Sequence, residues 1–248
     1  MSHEPITSQR ASRKDEHLEL AMRLHGQDRA GAFDDVSFIH HSLPGVSADI
    51  GTTVLGCRWE VPFYINAMTG GTQATADINA GLAEAAAEAG VAIACGSQHV
   101  ALRDPERADG FHVIRHRAPG AFVLANVGPT VSPQEALQAV EMLEANALQI
   151  HLNAAQELVM PEGDRDFTSW SEAIAGTVTA VPVPVVVKEV GFGLSRRTIE
   201  ALARTGVAAV DVAGAGGTDF IAIENDRSAT CPTWSAGASR RRCACWSR

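Results

Sequence analysis

Aromatic residues are scarce, at 5% of the 248-residue chain. Gly and Ala are frequent. That balance suits close packing of helix on strand better than an all-β sandwich. Positive charge is short as well: 20 Lys and Arg stand against 29 Asp and Glu, for a formal net charge of −9. A nucleic-acid surface calls for a basic stripe, so that class of partner is excluded and any phosphate ligand must be met by local cations. No apolar run approaches the roughly 20 residues that cross a bilayer. The opening MSHEPITSQRASRKDE has no apolar signal-peptide core. A cytoplasmic protein with no membrane partner is the expectation. Cysteine is nearly missing from the body of the chain, where Cys57 and Cys95 stand alone, as reduced and unbridged thiols would. What is present is 46% hydrophobic content, enough for one large core of the size a single barrel fills.

The most informative stretch is ALQIHLNAAQELVMPEGDRDF, from Ala147 to Phe167. As a strand it points Leu148, Ile150 and Leu152 one way and Gln149, His151 and Asn153 the other. Gln156 and Glu157 follow before any long helix can carry them away. One rim then gathers imidazole, amides and a carboxylate. A lone Glu with waters and phosphate oxygens is a usual way to hold Mg²⁺, so the rim suits an anionic ligand bound through a hard cation. A strand followed by an ordinary polar loop explains the same letters and remains open at this point.

The surrounding chain has a rhythm. The first sixty residues are polar, with Arg13-Lys14-Asp15-Glu16-His17 opening a helical pattern through Leu18, Met22 and Leu24; a mixed-charge run of this kind also fits a plain solvated helix face. FIHHSLPG is a turn-rich approach to the core. From Val61, VPFYINAMTGG reads as a strand ending in a Gly-rich loop, and TADINAGLAEAAAEAG as a helix stopped by Gly90. VAIACGSQ is a second strand, followed by a helix started at Asp104 and Pro105. AFVLANVG is a third strand, and Ser132-Pro133-Gln134-Glu135 is a capping box with proline at the first helical position. The stretch described above supplies the fourth strand and VPVPVVVKEVG the fifth, and Ser195 caps a helix that stops at Gly206. GVAAVDVAGAGGT is a sixth strand.

Strand and helix alternate at roughly thirty residues, the signature of βαβ units on a parallel sheet. Each strand ends in small or polar residues. In a TIM (β/α)₈ barrel such ends meet at one mouth, where catalytic groups lie; a doubly wound open sheet would instead line them along a crevice. After about Arg227 the chain changes character. Residues 228–248 hold three of the five Cys and two of the four Trp, with Arg240-Arg241-Arg242 and no helix or strand period. Cys243 and Cys245 are separated by a single residue and no His follows, a poor match to zinc-ligand spacing, and the tail reads as translated out of frame or otherwise foreign to the fold.

The pieces RKDEH, INAMTGG, GSQHVAL, ANVG, QIHLNAAQE with PEGDRDF, VVVKEVGFGLS and DVAGAGGTDF occur in order from Arg13 onward. Together they closely resemble the type 2, FMN-dependent isopentenyl diphosphate isomerases of isoprenoid biosynthesis. The resemblance implies a TIM barrel with FMN across its mouth, touching Ala67, Met68, Thr69, Ser97, Asn126, Lys188 and Thr218. Lys188 is credible physically too, because a cation at a strand end stabilises an anionic reduced flavin. A strand-terminal surface lysine is the alternative. By the same resemblance Arg13 and Lys14 close over the substrate diphosphate, and Ser97, Gln98, His99, His151 and Asn153 line it. An orienting role for His151 and Asn153 stays open. Glu157 would bind Mg²⁺, Gln156 would sit by the reacting carbons, and Gln156 and Lys188 would be the catalytic pair. NAD(P)H would serve only to reduce the flavin, with isopentenyl and dimethylallyl diphosphate interconverted without net redox change.

The expected organisation is therefore a substrate-covering segment at 1–60, a partial barrel for FMN and substrate at 61–227, and an aberrant tail at 228–248. Only about six of the eight barrel strands are readable, and the family's last two carry the loops for the FMN phosphate, in line with the general phosphate site of such barrels. An FMN-dependent oxidoreductase on a related barrel is one alternative; it would oxidise its substrate, where isomerisation conserves mass. An inactive fragment that survives by pairing with another chain is the other. Family members assemble as tetramers or octamers, so a homo-oligomer is expected.

Overall fold

The computed structural model describes residues 6–25, 34–37, 39, 45 and 47–227. The tail at 228–248 and most of FIHHSLPG lie outside the described residues. The elements in chain order are α1 (Ile6–Leu24), β1 (Thr52–Val54), β2 (Cys57–Trp59), β3 (Tyr64–Ile65), α2 (Gln73–Ala89), β4 (Ala92–Ala94) and α3 (His99–Arg103). A 3₁₀ turn at Pro105–Arg107 then leads to α4 (Asp109–Arg117), β5 (Val123–Val127), α5 (Pro133–Leu143), β6 (Ala147–Leu152), α6 (Ala154–Val159) and α7 (Trp170–Ala180). β7 (Val185–Glu189), α8 (Arg196–Ala203), β8 (Ala209–Asp211) and α9 (Phe220–Arg227) complete the set.

β3 to β8 form one six-stranded sheet in sequence order, every pair parallel. This is the strand arrangement of a (β/α)₈ barrel with six of its units described, as expected. The sheet curls strongly enough that the two end strands meet through side chains: Tyr64 of β3 donates its hydroxyl to Asp211 Oδ2 of β8 at 2.6 Å. Asn66 Nδ2 reaches the same oxygen at 2.8 Å.

Alternation along the strands sorts residues between two cores. The convex face packs Ile93, Val123, Ala125, Val127, Leu148, Ile150, Val185 and Val187 against the helices, with Phe111 and Leu143 fully buried among them. The concave face starts with a small apolar floor of Ala92, Ala94, Leu124, Ala147 and Val186. The unforeseen β1–β2 hairpin supplies its plug, with Leu55 and Trp59 packed on that floor. Its turn has positive φ at Leu55 (51°) and Gly56 (79°), a two-residue geometry that matches strand twist.

The helix signals behave unevenly. Ser132 caps α5 through the expected box with Glu135, and Ser195 caps α8 from Thr198 N. Gly90 ends α2 in the left-handed region at φ 65°. The helix expected from Asp104 differs: Asp104 accepts from Arg107 Nε at 2.9 Å instead of capping, so Pro105 opens a 3₁₀ turn and α4 begins at Asp109. α3 was not foreseen.

Candidate functional site

The carboxyl ends of the strands open into a cavity of about 820 Å³, within the roughly 300–1,000 Å³ typical of small-molecule sites. Of the residues expected at the site, Arg13, Lys14, Ala67, Met68, Ser97, His99, Asn126, His151, Asn153, Gln156, Glu157 and Lys188 all line it. Strand register explains part of that convergence. Asn126 pairs with Gln149, and Lys188 is flanked by His151 on one side and Asp211 on the other. Period-two alternation then turns all of these to the concave face.

Three expected residues fall elsewhere. Gln98 is fully buried and its side chain turns away from the mouth. Its Nε2 donates to Ala139 O at 2.9 Å and its Oε1 accepts from Asn126 N at 2.9 Å. The Gln98 amide thus joins α3, α5 and β5, and the side chain expected at the substrate does not line the cavity. Thr69 and Thr218 do not line the cavity. Thr69 is 5% exposed, and its Oγ1 has no hydrogen-bond partner among the described residues. That orphaned atom is buried one residue beyond Met68, at the strand end and outside the cavity lining. Thr218 lies beside the same loop, 4.0 Å from Met68 Sδ.

α1 lies over the mouth. Lys14 Nζ donates to Ser97 O at 3.2 Å, and burial, with Arg13 adding to it, pulls its pKa down to about 8. Arg13 sits 3.4 Å from Glu162. His17 Nε2 stands 2.7 Å from Glu224 Oε1, and Thr72 Oγ1 donates to Asp15 at 2.6 Å. Glu224, on α9 and wholly buried, ties the α1 and α6 sides together, since Gln156 Nε2 donates to its Oε1 at 2.9 Å and Arg227 Nε to its Oε2 at 2.8 Å. Burial pushes this carboxyl up, but the hydrogen bonds from His17 and Gln156 and the guanidinium of Arg227 outweigh it and bring the pKa to about 2. Sequence reasoning missed Glu224 because its partners are distant in the chain; the apolar pair Ile221 and Ile223 around it was the available hint of an inward face.

Glu157 is held on both oxygens. Asn153 Nδ2 donates to Oε1 at 2.7 Å and Asp164 N to Oε2 at 2.9 Å. Each carboxylate oxygen keeps a second lone pair for a cation or water. No cluster of three or more His, Cys, Asp or Glu suited to a metal occurs among the described residues, so a metal here would need ligand oxygens and waters to complete its shell. Lys188 Nζ donates to Glu189 O at 2.8 Å, and burial lowers its pKa while Asp211 and Glu189 pull it back up. His151 is held neutral: burial first, then the charges of Lys188 and Lys14 with a smaller contribution from His99, bring its pKa to about 3. The loop after β7 is pinned by Glu189 Oε2, which accepts from the backbone N–H groups of Gly191, Phe192 and Gly193. Gly191 approaches Thr218 O so closely that a Cβ would stand 2.7 Å from it.

Comparison with known proteins agrees with the motifs. Residues 25–109 match the family described as FMN-dependent dehydrogenase. The chain is 52% identical over 221 residues to the isopentenyl-diphosphate delta-isomerase of Streptomyces sp. (strain CL190) and 54% identical over 224 residues to that of Kitasatospora griseola, matching 88% of this chain and 61% of each relative. The isopentenyl-diphosphate delta-isomerase of Latilactobacillus sakei is 50% identical over 226 residues, or 90% of this chain and 64% of its own length. The chain thus spans less than two thirds of these relatives. Among solved structures, a mandelate oxidase variant with benzaldehyde superposes with a TM-score of 0.51 at 16% identity, covering 82% of this chain and 65% of that one; this likeness concerns the fold. No described helix is long and apolar enough to cross a membrane.

Proposed function

We propose that this mouth is the site of an FMN-dependent isomerase that interconverts isopentenyl and dimethylallyl diphosphate. The observation that carries the proposal is the meeting of two kinds of group in one cavity: the cations of Arg13 and Lys14 on α1, and the carboxamide and carboxylate of Gln156 and Glu157 on α6. The residues fit a flavin. The Lys188 ammonium borders the cavity together with Ala67, Met68 and the Asn126 amide, while the orphaned Thr69 Oγ1 is buried one residue beyond Met68, outside the lining. When bound, reduced FMN would supply an electron-rich face against the positive charge that develops in the allylic skeleton.

The chain's own residues divide the remaining work. Arg13 and Lys14 bind the diphosphate by charge-assisted hydrogen bonds, offsetting locally the acidity of the whole chain. Glu157, oriented by Asn153 and Asp164 N, would hold a Mg²⁺, which would supply positive charge to offset that of the diphosphate. Gln156 is set beside the reacting carbons by its bond to Glu224. One proton is added at the terminal methylene and another leaves the carbon two positions away, so mass is conserved. α1 over the mouth limits water, which would otherwise capture the carbocation. NAD(P)H would act only as the flavin's reductant, and a homo-oligomer is the assembly the resemblance suggests. The test is to incubate the protein with FMN, dithionite or NADPH, Mg²⁺ and isopentenyl diphosphate, and to follow products by mass and by ³¹P and ¹H resonance. Dimethylallyl diphosphate of unchanged mass supports the proposal. An oxidised product formed with oxidised FMN and no added reductant, with flavin reduced in proportion, would establish the oxidoreductase alternative instead.

A further inference from the structure

Inside the curled sheet runs a file of polar side chains, part of it deeply buried, whose hydrogen bonds all point one way. Asp211 Oδ2 accepts from the Tyr64 hydroxyl at 2.6 Å and from Asn66 Nδ2 at 2.8 Å. Asn66 Oδ1 accepts from the backbone N–H of Ala67 at 2.7 Å, which independently fixes which end of that amide is oxygen. Gln149 meets both the Tyr64 hydroxyl (3.2 Å) and Asn66 Oδ1 (3.3 Å). The hydroxyl proton is already committed to Asp211, and Asn66 Oδ1 is an acceptor. Gln149 must therefore turn its NH₂ toward them, since its oxygen would face two acceptors. Gln149 Oε1 then accepts from Asn126 Nδ2 at 2.8 Å, which leaves Asn126 Oδ1 toward His151 Nδ1 at 2.9 Å. An oxygen there requires a proton on Nδ1.

We propose that Asp211 is the fixed end of a one-way hydrogen-bond chain, through Tyr64, Asn66, Gln149 and Asn126, that holds His151 as its Nδ1-protonated tautomer. Nε2 is then a bare acceptor offered to the cavity, and it takes an N–H or O–H donor of the bound ligand, such as a flavin ring N–H or a metal-bound water, rather than an unprotonated phosphate oxygen. Asp211, Tyr64, Asn66 and Gln149 are positioning residues in this scheme. Gln149 is fully buried and Asn126 is 2% exposed, so water does not compete for the middle of the chain. Burial first, and then the charges of Lys188 and Lys14, disfavour a second proton on His151, although the Val127 carbonyl leans the other way. Gly128 flanks the Nε2 side without a side chain; a Cβ there would stand 3.7 Å from Nε2.

The tautomer follows from the protein alone; what the acceptor is for rests on the cavity being the ligand site proposed above. The test is ¹⁵N resonance of protein labelled at histidine, near neutral pH, with the His151 signals identified by their loss in His151→Gln. The expected pattern is a pyrrole-type Nδ1 and a pyridine-type Nε2. Asp211→Asn or Asn126→Leu, either of which frees the chain to reverse or cuts it, should move both nitrogens toward intermediate shifts. Adding FMN, or Mg²⁺ with inorganic pyrophosphate, should shift Nε2 as a hydrogen bond is donated to it. A wild-type Nε2–H tautomer overturns the proposal, as does an imidazolium in the free protein or after pyrophosphate. So does either folded variant that keeps the wild-type pattern. Should one variant fail to fold, the wild-type pattern and the other variant decide. None of these readings needs turnover, so a failed isomerase assay beside an Nδ1–H His151 would remove the functional proposal and leave this one standing.

Discussion

On the convex side of the sheet Val127, Leu148, Ile150 and Val187 are closed off among other apolar side chains. On the concave side the same three strands hold Asn126, Gln149, His151 and Lys188. Each strand contributes to both, one residue apart, yet the two faces are stabilised differently. The convex face gains from area removed from water, roughly 25 cal/mol per Å². The concave face has to pair the polar side chains it buries, and it pairs those of Asn126 and Gln149 through the file from Asp211 to His151. A slip of one residue in register would exchange the faces and destroy both, which is why the register is strongly specified. What the comparison teaches is that stability and function can be separated by parity along a single strand.

The largest expected effect falls on the concave side. Glu157→Gln keeps the shape and the bond from Asn153 but removes the charge proposed to hold a metal. Turnover of the holoenzyme should fall by about a thousandfold or more, the scale of losing several kcal/mol of charge stabilisation, while thermal stability stays close to wild type. Metal-dependent turnover at the wild-type rate would break the division of labour drawn here.

Next comes its convex counterpart. Phe111 is fully buried between α4 and the loop after β3, and a Cβ on Gly70 would lie 2.4 Å from its ring. Phe111→Ala should cost about 3–5 kcal/mol of stability, read by urea denaturation. Because the ring backs Gly70 in the INAMTGG loop, a cavity there should also loosen the Met68 to Gly71 segment and weaken flavin affinity. An unchanged flavin affinity in the destabilised protein would sharpen the comparison, by showing that the faces are insulated even where they touch.

How much of this was legible in advance follows the same division. The facing of β6 was readable because alternation is local: Leu148 and Ile150 against Gln149 and His151 declare two environments with no knowledge of partners. The capping boxes at Ser132 and the stop at Gly90 were local too. Gln98 was not readable. It follows a strand end like Ser97 and His99, but its direction depends on Ala139, 41 residues away. Glu224 was hidden for the same reason, its partner Gln156 lying 68 residues off. Asp104 had the letters of a cap but found Arg107 three residues on, a competition no spacing rule decides. The hairpin Thr52 to Trp59 was overlooked because its strands are three residues each, too short for a period to show.

A smaller effect separates α1 from both faces. Arg13→Ala with Lys14→Ala should raise the apparent KM for the diphosphate and leave flavin binding alone, because the contact proposed for these groups runs through α1 and not through the sheet. Each charged hydrogen bond is worth roughly 1.5–3 kcal/mol, so KM should rise by at least about tenfold. Flavin loss with KM unchanged would make α1 a structural part of the concave face instead.

The smallest effect is a titration. Burial brings the Lys14 pKa from 10.5 down to about 8, with Arg13 as the next cause. Two consequences follow with opposite signs. For folding, the unfolded chain holds this proton up to its ordinary value while the folded chain releases it from about 8, so between those values the unfolded state binds more protons and stability rises with pH. For binding, the contact proposed between Lys14 and the diphosphate needs the ammonium, so affinity should fall as pH rises through the same window. One pH unit above its pKa only about a tenth of Lys14 is charged, and pyrophosphate affinity at pH 9 should lie several-fold below that at pH 7. Calorimetric titration of Mg²⁺-pyrophosphate across pH 7–9.5, beside thermal melts over the same range, checks both signs together. Lys14→Arg, charged throughout, should flatten both profiles. Binding that strengthens above pH 8 in the wild type would remove Lys14 from the ligand and leave it as a helix-to-loop contact with Ser97 O.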